Sequence, residues 1–320
     1  MYLSPEFIHY SVIALAVALN SAGVGIGQGL TSWSALAAIN RQPAARNDIL
    51  KIAILGIAVI ETAAILGTFV AFTLLMGAQT TPHYYQYLSE IGILFAISIT
   101  GFTVGIASAF PAQTACHAVA RQPFFTQRIL SFMLMTQALI QTPIISGLLV
   151  SLFIQSQSTQ TYILSDSLRL IASGLCVGLG NIGPVIGLGL FSKVAVECLG
   201  INRNATNKIL SFTFISEAII ETPIIFCLVI AITLLFIVPR PLDESMIDGI
   251  VFLAAGLCSG LGTFGPGISS AKTAAAACKQ IALNPQSHSM LSRTSMLAQG
   301  LIETIIIYAV LLSFMLIFLR

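Results

Sequence analysis

Charge is what this chain lacks. Only 8% of its 320 residues are Asp, Glu, Lys or Arg, and the net charge is +2. No basic cluster offers a phosphate backbone anything to hold, so nucleic acid is not among the expected partners. Four histidines, His9, His83, His117 and His288, lie apart from one another, and six cysteines fall singly with no C-x-x-C pair. Neither zinc spacing nor a disulfide framework is supported, and the cysteines read as small buried hydrophobes. There is no phosphate-cradling glycine loop and no nucleophile triad, so catalysis and a cofactor are not expected. A single tryptophan, Trp33, is assigned to packing within the ring. Hydrophobic residues reach 56%, with a mean hydropathy of +0.94. A soluble core cannot absorb that much apolar surface, whereas a bilayer can.

Eight apolar segments follow one another, near 8–39, 49–78, 88–119, 128–155, 168–200, 208–237, 247–282 and 290–319. At 1.5 Å per residue, some thirty residues span roughly 45 Å, enough for a hydrocarbon core with its headgroups. Unbroken runs of this length exclude a barrel and leave helices. The first segment opens with acidic Glu6 rather than a basic stretch, and it is expected to be a retained helix. The predicted fold is an all-α membrane protein of four tandem helical hairpins, at 1–80, 81–160, 161–241 and 242–320. Basic residues such as Arg41, Arg46, Lys51, Arg121, Arg128, Lys193 and Lys208 gather at the turns within hairpins. The opposite side has only Arg169, Arg240 and Arg320, beside Glu6, Glu90, Asp166, Asp243, Glu244 and Asp248. By the positive-inside rule the turns are cytoplasmic and both termini lie outside.

Three glutamates, Glu61, Glu221 and Glu303, sit mid-segment, each followed by a threonine: Thr62, Thr222 and Thr304. Gln141-Thr142 takes the same place in the second hairpin, and the spacings are 80, 80 and 82 residues. A carboxylate at bilayer depth is expensive and points to function. Thirty-three residues before these positions stand Gln28, Ser108, Leu188 and Ser270. Equal rise about the turn brings each to the depth of its partner. A carboxylate, an amide or hydroxyl, and the adjacent threonine hydroxyl together make a plausible oxygen cage for a hard cation. One turn before the key position lie Gln137, Glu217 and Gln299, with Ile57 in the first hairpin. Glu217 neighbours Glu221 on one helix face, and two carboxylates so close do not both ionise cheaply. It either replaces the absent ligand at Leu188 or is a protonated spectator. Pro143 and Pro223 each free a carbonyl four residues earlier.

The first helix of each hairpin is smooth. Gly23, Gly25, Gly27 and Gly29 alternate, and small residues recur in register at Thr103 to Ala109, Gly183 to Gly189 and Gly265 to Ala271. Small residues let membrane helices approach closely. Thin first helices inside and bulkier second helices outside would make a closed ring.

The stretch Gly25-Ile26-Gly27-Gln28-Gly29, the turn Arg41-Gln42-Pro43 and the pair Glu61-Thr62 resemble the c subunit, or proteolipid, of rotary ATP synthases. The turn recurs as Arg121-Gln122-Pro123 and weakens to Ile201-Asn202-Arg203 and Leu283-Asn284-Pro285. These turns look more like the F type than the V type, although four hairpins are fused in one chain. The resemblance implies a rotor ring of identical chains in the bacterial inner membrane, turning against a stator a-type subunit. Its turns, Arg41, Gln42, Pro43, Arg121, Gln122 and Pro123, would touch central stalk subunits. It implies transported Na+ or H+ at Glu61, Glu221 and Glu303, with Gln28, Thr62, Glu217, Thr222, Ser270, Gln299, Thr304 and Tyr308 as candidate ligands. The threonines place sodium slightly ahead. Gln141 cannot hold a titratable proton, so the second hairpin is expected to be silent. A secondary ion-coupled transporter is the alternative, although such folds favour larger or inverted repeats and broken helices.

Overall fold

The computed structural model describes residues 4–77, 84–237 and 245–319. His83, Arg240, Asp243, Glu244 and Arg320, and the expected junctions at 80/81 and 241/242, lie outside them. Among the described residues there are eight helices long and apolar enough to cross a membrane. They are α1 (Pro5–Arg41), α2 (Pro43–Met76), α3 (Tyr84–Arg121), α4 (Pro123–Ser158), α5 (Leu164–Ile201), α6 (Arg203–Phe236), α7 (Met246–Leu283) and α8 (Pro285–Phe318).

Local chemistry sets the helix ends. Ser4 caps α1, its hydroxyl accepting from the Phe7 amide at 3.3 Å, with Pro5 in the first turn. A proline one residue past the cap suits the start of a helix and forbids continuation of the one before. Pro43, Pro123 and Pro285 accordingly each open a short 3-10 turn into the second helix. The third turn has no proline. There the Asn202 side chain accepts from the Asn204 amide at 3.0 Å, and a 3-10 turn forms at Arg203–Ala205 all the same.

The first helices α1, α3, α5 and α7 form one row, each packed on the next, and α2, α4, α6 and α8 cover one side of it. Glycine sets the spacing within the row. A Cβ on Gly27 would lie 2.2 Å from the Gly105 carbonyl oxygen, and one on Gly187 would lie 2.4 Å from that of Gly267. Backbone therefore meets backbone, as small residues permit. The alternating glycines of α1 divide in two. Gly23 and Gly27 face α3, whereas Gly25 and Gly29 meet nothing within 4 Å. Gly265 on α7 is equally open. The row thus has two bare ends, and burial falls accordingly, from 72% of the central window of α5 to 39% in α1 and 44% in α7.

Several charges are spoken for at the end opposite the turns. His9 is buried rather than free: its Nδ1 lies 2.7 Å from Glu90 Oε2, and its ring stacks on Tyr87 at 4.4 Å. Arg169 is not a loose outer charge either. It is buried, donates to the Leu234 and Leu235 carbonyls at the end of α6, and pairs with Asp166 at 3.3 Å. A cation there satisfies carbonyls that the helix itself leaves open. The six cysteines are unpaired thiols, five of them buried. Trp33 is 72% exposed in the single chain.

Gly187→Val should force α5 and α7 apart and cost about 1–3 kcal/mol in detergent-monitored helix unfolding. Gly300→Ala, where a Cβ meets nothing within 4 Å, should be neutral or slightly stabilising. Equal effects of the two would rule out backbone contact as what fixes the spacing.

Candidate functional site

The mid-helix positions of α2, α4, α6 and α8 meet across hairpins. Thr142 on α4 donates to Glu221 Oε1 on α6, and Thr222 on α6 donates to Glu303 Oε2 on α8. The hydroxyl serving each glutamate thus comes from the preceding hairpin. This corrects the expected cage, which used the threonine beside the carboxylate. Thr142 beside Gln141 thus serves the glutamate of the next hairpin, as a site formed between neighbouring repeats would have it.

The same hydroxyls also bond within their helices. Thr142 reaches the Leu139 carbonyl at 2.8 Å and Thr222 the Ile219 carbonyl at 2.7 Å. These are the carbonyls four residues before Pro143 and Pro223, which cannot donate to them. Thr62 and Thr304 make the equivalent bonds to Val59 and Leu301, at 2.8 and 2.7 Å. Each hydroxyl in the two complete sites therefore faces two acceptors with one proton.

Gln141 makes a different bond. Its Nε2 donates to the Val59 carbonyl at 3.1 Å and to Ser108 Oγ at 3.1 Å. A fixed amide hydrogen stands where the glutamates would need a bound proton or cation. The Ser108 contact also joins two positions thirty-three residues apart, matching the depth expected for them. In the fourth hairpin Ser270 is buried within electrostatic reach of Glu303, though not aligned as a hydrogen bond. Leu188 offers Glu221 no oxygen, and Gln28 makes no side-chain hydrogen bond among the described residues.

A second row of polar groups lies one turn nearer the hairpin turns. Gln137 donates to the Gly56 and Ser108 carbonyls at 3.2 and 2.9 Å. Gln299 donates to Ser295 at 3.0 Å and to Ser216 at 3.4 Å. Fully buried Glu217 accepts from Ser192 on α5 at 2.6 Å, and its other oxygen has no hydrogen-bond partner. Ser192 was not foreseen. Tyr308 is 72% exposed and makes no hydrogen bond among the described residues.

Glu61 and Thr304 are exposed, and neither side chain bonds across hairpins among the described residues. At the turns, Gln122 donates to the Gly200 carbonyl and Asn202 to that of Ala282, both at 2.8 Å. These side chains fasten the ends of neighbouring first helices.

The family model for the ATP synthase c subunit matches four times, over residues 12–74, 91–154, 171–234 and 253–316. The chain belongs to that family. Each match covers one hairpin with its mid-helix position, so the family unit is present in fourfold fusion. The ATP synthase c subunit of Chloroflexus aurantiacus is 42% identical over 66 residues, which are 21% of this chain and 87% of that protein. Its namesake from Dehalococcoides mccartyi is 40% identical over 73 residues, 23% of this chain and 96% of that protein. The one from Prochlorococcus marinus is 38% identical over 76 residues, 24% and 94% respectively. Membership carries with it an integral membrane location and a rotor-ring, ion-translocating role rather than a catalytic one.

Gln141→Glu should give assembled protein one further carboxyl that reacts with a hydrophobic carbodiimide, found by peptide mapping at position 141. No new adduct there would mean that the second hairpin is closed to ions for a reason other than its amide.

Proposed function

We propose that the chain is a fused building block of a rotor ring and carries ions on Glu61, Glu221 and Glu303. The units 1–80, 81–160, 161–241 and 242–320 are successive ring positions, and Gln141 marks a silent one. The observation behind this is the repeated hydroxyl–carboxylate pair between hairpins, left half-made at both ends. A second copy placed head to tail would bring Thr304 to the next chain's Glu61 and cover Gly265 with the face of Gly25 and Gly29. A heterologous contact of this kind closes into a ring when its rotation allows.

Each carboxylate would load from one half-channel of a stator a-type subunit, then traverse lipid neutral and unload into the other. An ionised carboxylate facing hydrocarbon costs several kcal/mol, so the passenger must be aboard before the site leaves the stator. About 2.3 kcal/mol per charge per 100 mV drives the rotation. Three charges per four positions lower the number of ions moved per turn. That suits an ATP-driven pump or a low-ratio synthase. The stalk would engage the Arg41-Gln42-Pro43 and Arg121-Gln122-Pro123 turns on the cytoplasmic side of a bacterial inner membrane.

The oxygen inventory moves the preference from sodium to proton. The site at Glu221 has Thr142 and the Leu139 carbonyl but apolar Leu188, which is few ligands for a hard cation. A single proton satisfies every group there. Glu217, held by Ser192, is read as a protonated neighbour that keeps the second charge out of the site.

Sodium at neutral pH should give no protection of the three glutamates against carbodiimide, while raising the pH should slow their labelling. Sodium protection would instead assign the site to that ion and leave the rotor reading intact. Thr304→Val should reduce ATP-driven ion transport as much as Thr222→Val, with the mass of the ring unchanged. Full activity of the Thr304 variant would rule out completion of the Glu61 site by a neighbouring chain.

A further inference from the structure

The seam between α5 and α7 holds two thiols that ion carriage does not use. Gly187 and Gly267 meet there backbone to backbone, a Cβ on the former lying 2.4 Å from the carbonyl oxygen of the latter. Eleven residues further along each helix stand Cys198 and Cys278. Eleven residues make three helical turns to within about 20°, so both cysteines return to the contact face. Four residues beyond them, Asn202 donates to the Ala282 carbonyl at 2.8 Å and fastens the end of the seam. Both thiols are buried, and they lie close enough to interact with each other.

Fourfold repetition does not account for the pair. At the same register the first two hairpins carry Ala38 and Ala118, also buried. Packing there asks only for a small residue, and the two cysteines occur in the consecutive repeats that adjoin. Access is provided as well. A cavity of about 170 Å³ beside the turns is lined by Cys198, Glu197, Ile201, Lys279, Ala282 and Leu283. Ile201, Lys279 and Leu283 are exposed, so the cavity opens outward between them. A water occupies about 30 Å³, and a peroxide molecule is not much larger. Cys278 does not line the cavity. Cys176 and Cys227 give the contrast. They are neighbours too, but their thiols are engaged with Ser259 at 2.9 and 3.5 Å.

We propose that Cys198 and Cys278 are an oxidation site, forming a reversible disulfide with hydrogen peroxide that clamps the third hairpin to the fourth. Cys198, which reaches the cavity, attacks one peroxide oxygen as its thiolate. The O–O bond breaks, the other oxygen leaves as water after taking up a proton, and a sulfenic acid remains on Cys198. The Cys278 sulfur then attacks that of Cys198, and the sulfenic oxygen leaves as a second water. Two thiols have lost two electrons and one peroxide has gained them. A disulfide needs Cα atoms within about 7 Å, a reach that helices packed backbone to backbone provide. In a reducing compartment the dithiol is the resting state, and a cytosolic dithiol restores it. The pair is independent of which ion the glutamates carry.

The test treats assembled full-length protein with dilute hydrogen peroxide, alkylates the remaining thiols and maps peptides without reduction. One Cys198–Cys278 peptide per chain should appear, with no covalent dimer of chains, and dithiothreitol should reverse it. The oxidised protein should unfold about 5 °C above the reduced one, because the bond closes a long loop. Alanine already stands at this register in two hairpins, so alanine variants keep the packing. Cys278→Ala should abolish the thermal shift and leave Cys198 as a sulfenic acid that dimedone captures. Cys198→Ala should leave Cys278 unlabelled by dimedone. Two free thiols at these positions after peroxide treatment of the folded protein overturn the proposal. So does a Cys176–Cys227 bond formed at the same rate, because the cavity would then decide nothing.

Discussion

A carboxyl group held in hydrocarbon is tolerable only while its charge is cancelled, and this constraint bears on the middle of three of the four hairpins. Thr142 and Thr222 stand ready beside Glu221 and Glu303, and each hydroxyl is already engaged with a carbonyl of its own helix. On the proposed reading, a bound proton would turn the two competing acceptors into a continuous chain of donors, and its removal would leave a negative oxygen that only water or a cation can satisfy.

Fusion into one chain lets positions that would be identical in a single-hairpin ring diverge. Gln141 puts an amide where the other hairpins have a carboxyl, and it donates to Val59 and Ser108. Glu217 adds a buried acid that only the third hairpin has. Arg203 stands where the other three turns have proline, Asn202 caps the turn that forms there, and its amide ties α5 to α7. The scaffold tolerates these changes because the contacts that set its geometry, glycine against backbone within the row, lie elsewhere.

Much of this was legible beforehand. Long apolar runs and an 80-residue repeat dictate four hairpins, because lipid leaves the backbone no alternative to helix. Counting from the turn placed Ser108 level with Gln141, and the two are bonded. Other features were hidden. The spacing named Thr222 as a ligand but attached it to Glu221, when its carboxylate is Glu303. His9 and Arg169 looked like loose charges at segment ends, yet one pairs with Glu90 and the other caps α6.

The sequence by itself determined the depth of each group, since helical rise turns residue number directly into height along the membrane normal. It also determined which helix faces are small enough for close approach. Direction around the row was decided only by the tertiary structure. Whether a side chain reaches forward or back to its neighbour depends on how helices pack side by side, and the same spacing fits either choice. For that reason the partners of Glu221 and Glu303, the bare faces at Gly25 and Gly265, and the exposure of Trp33 came from the fold alone.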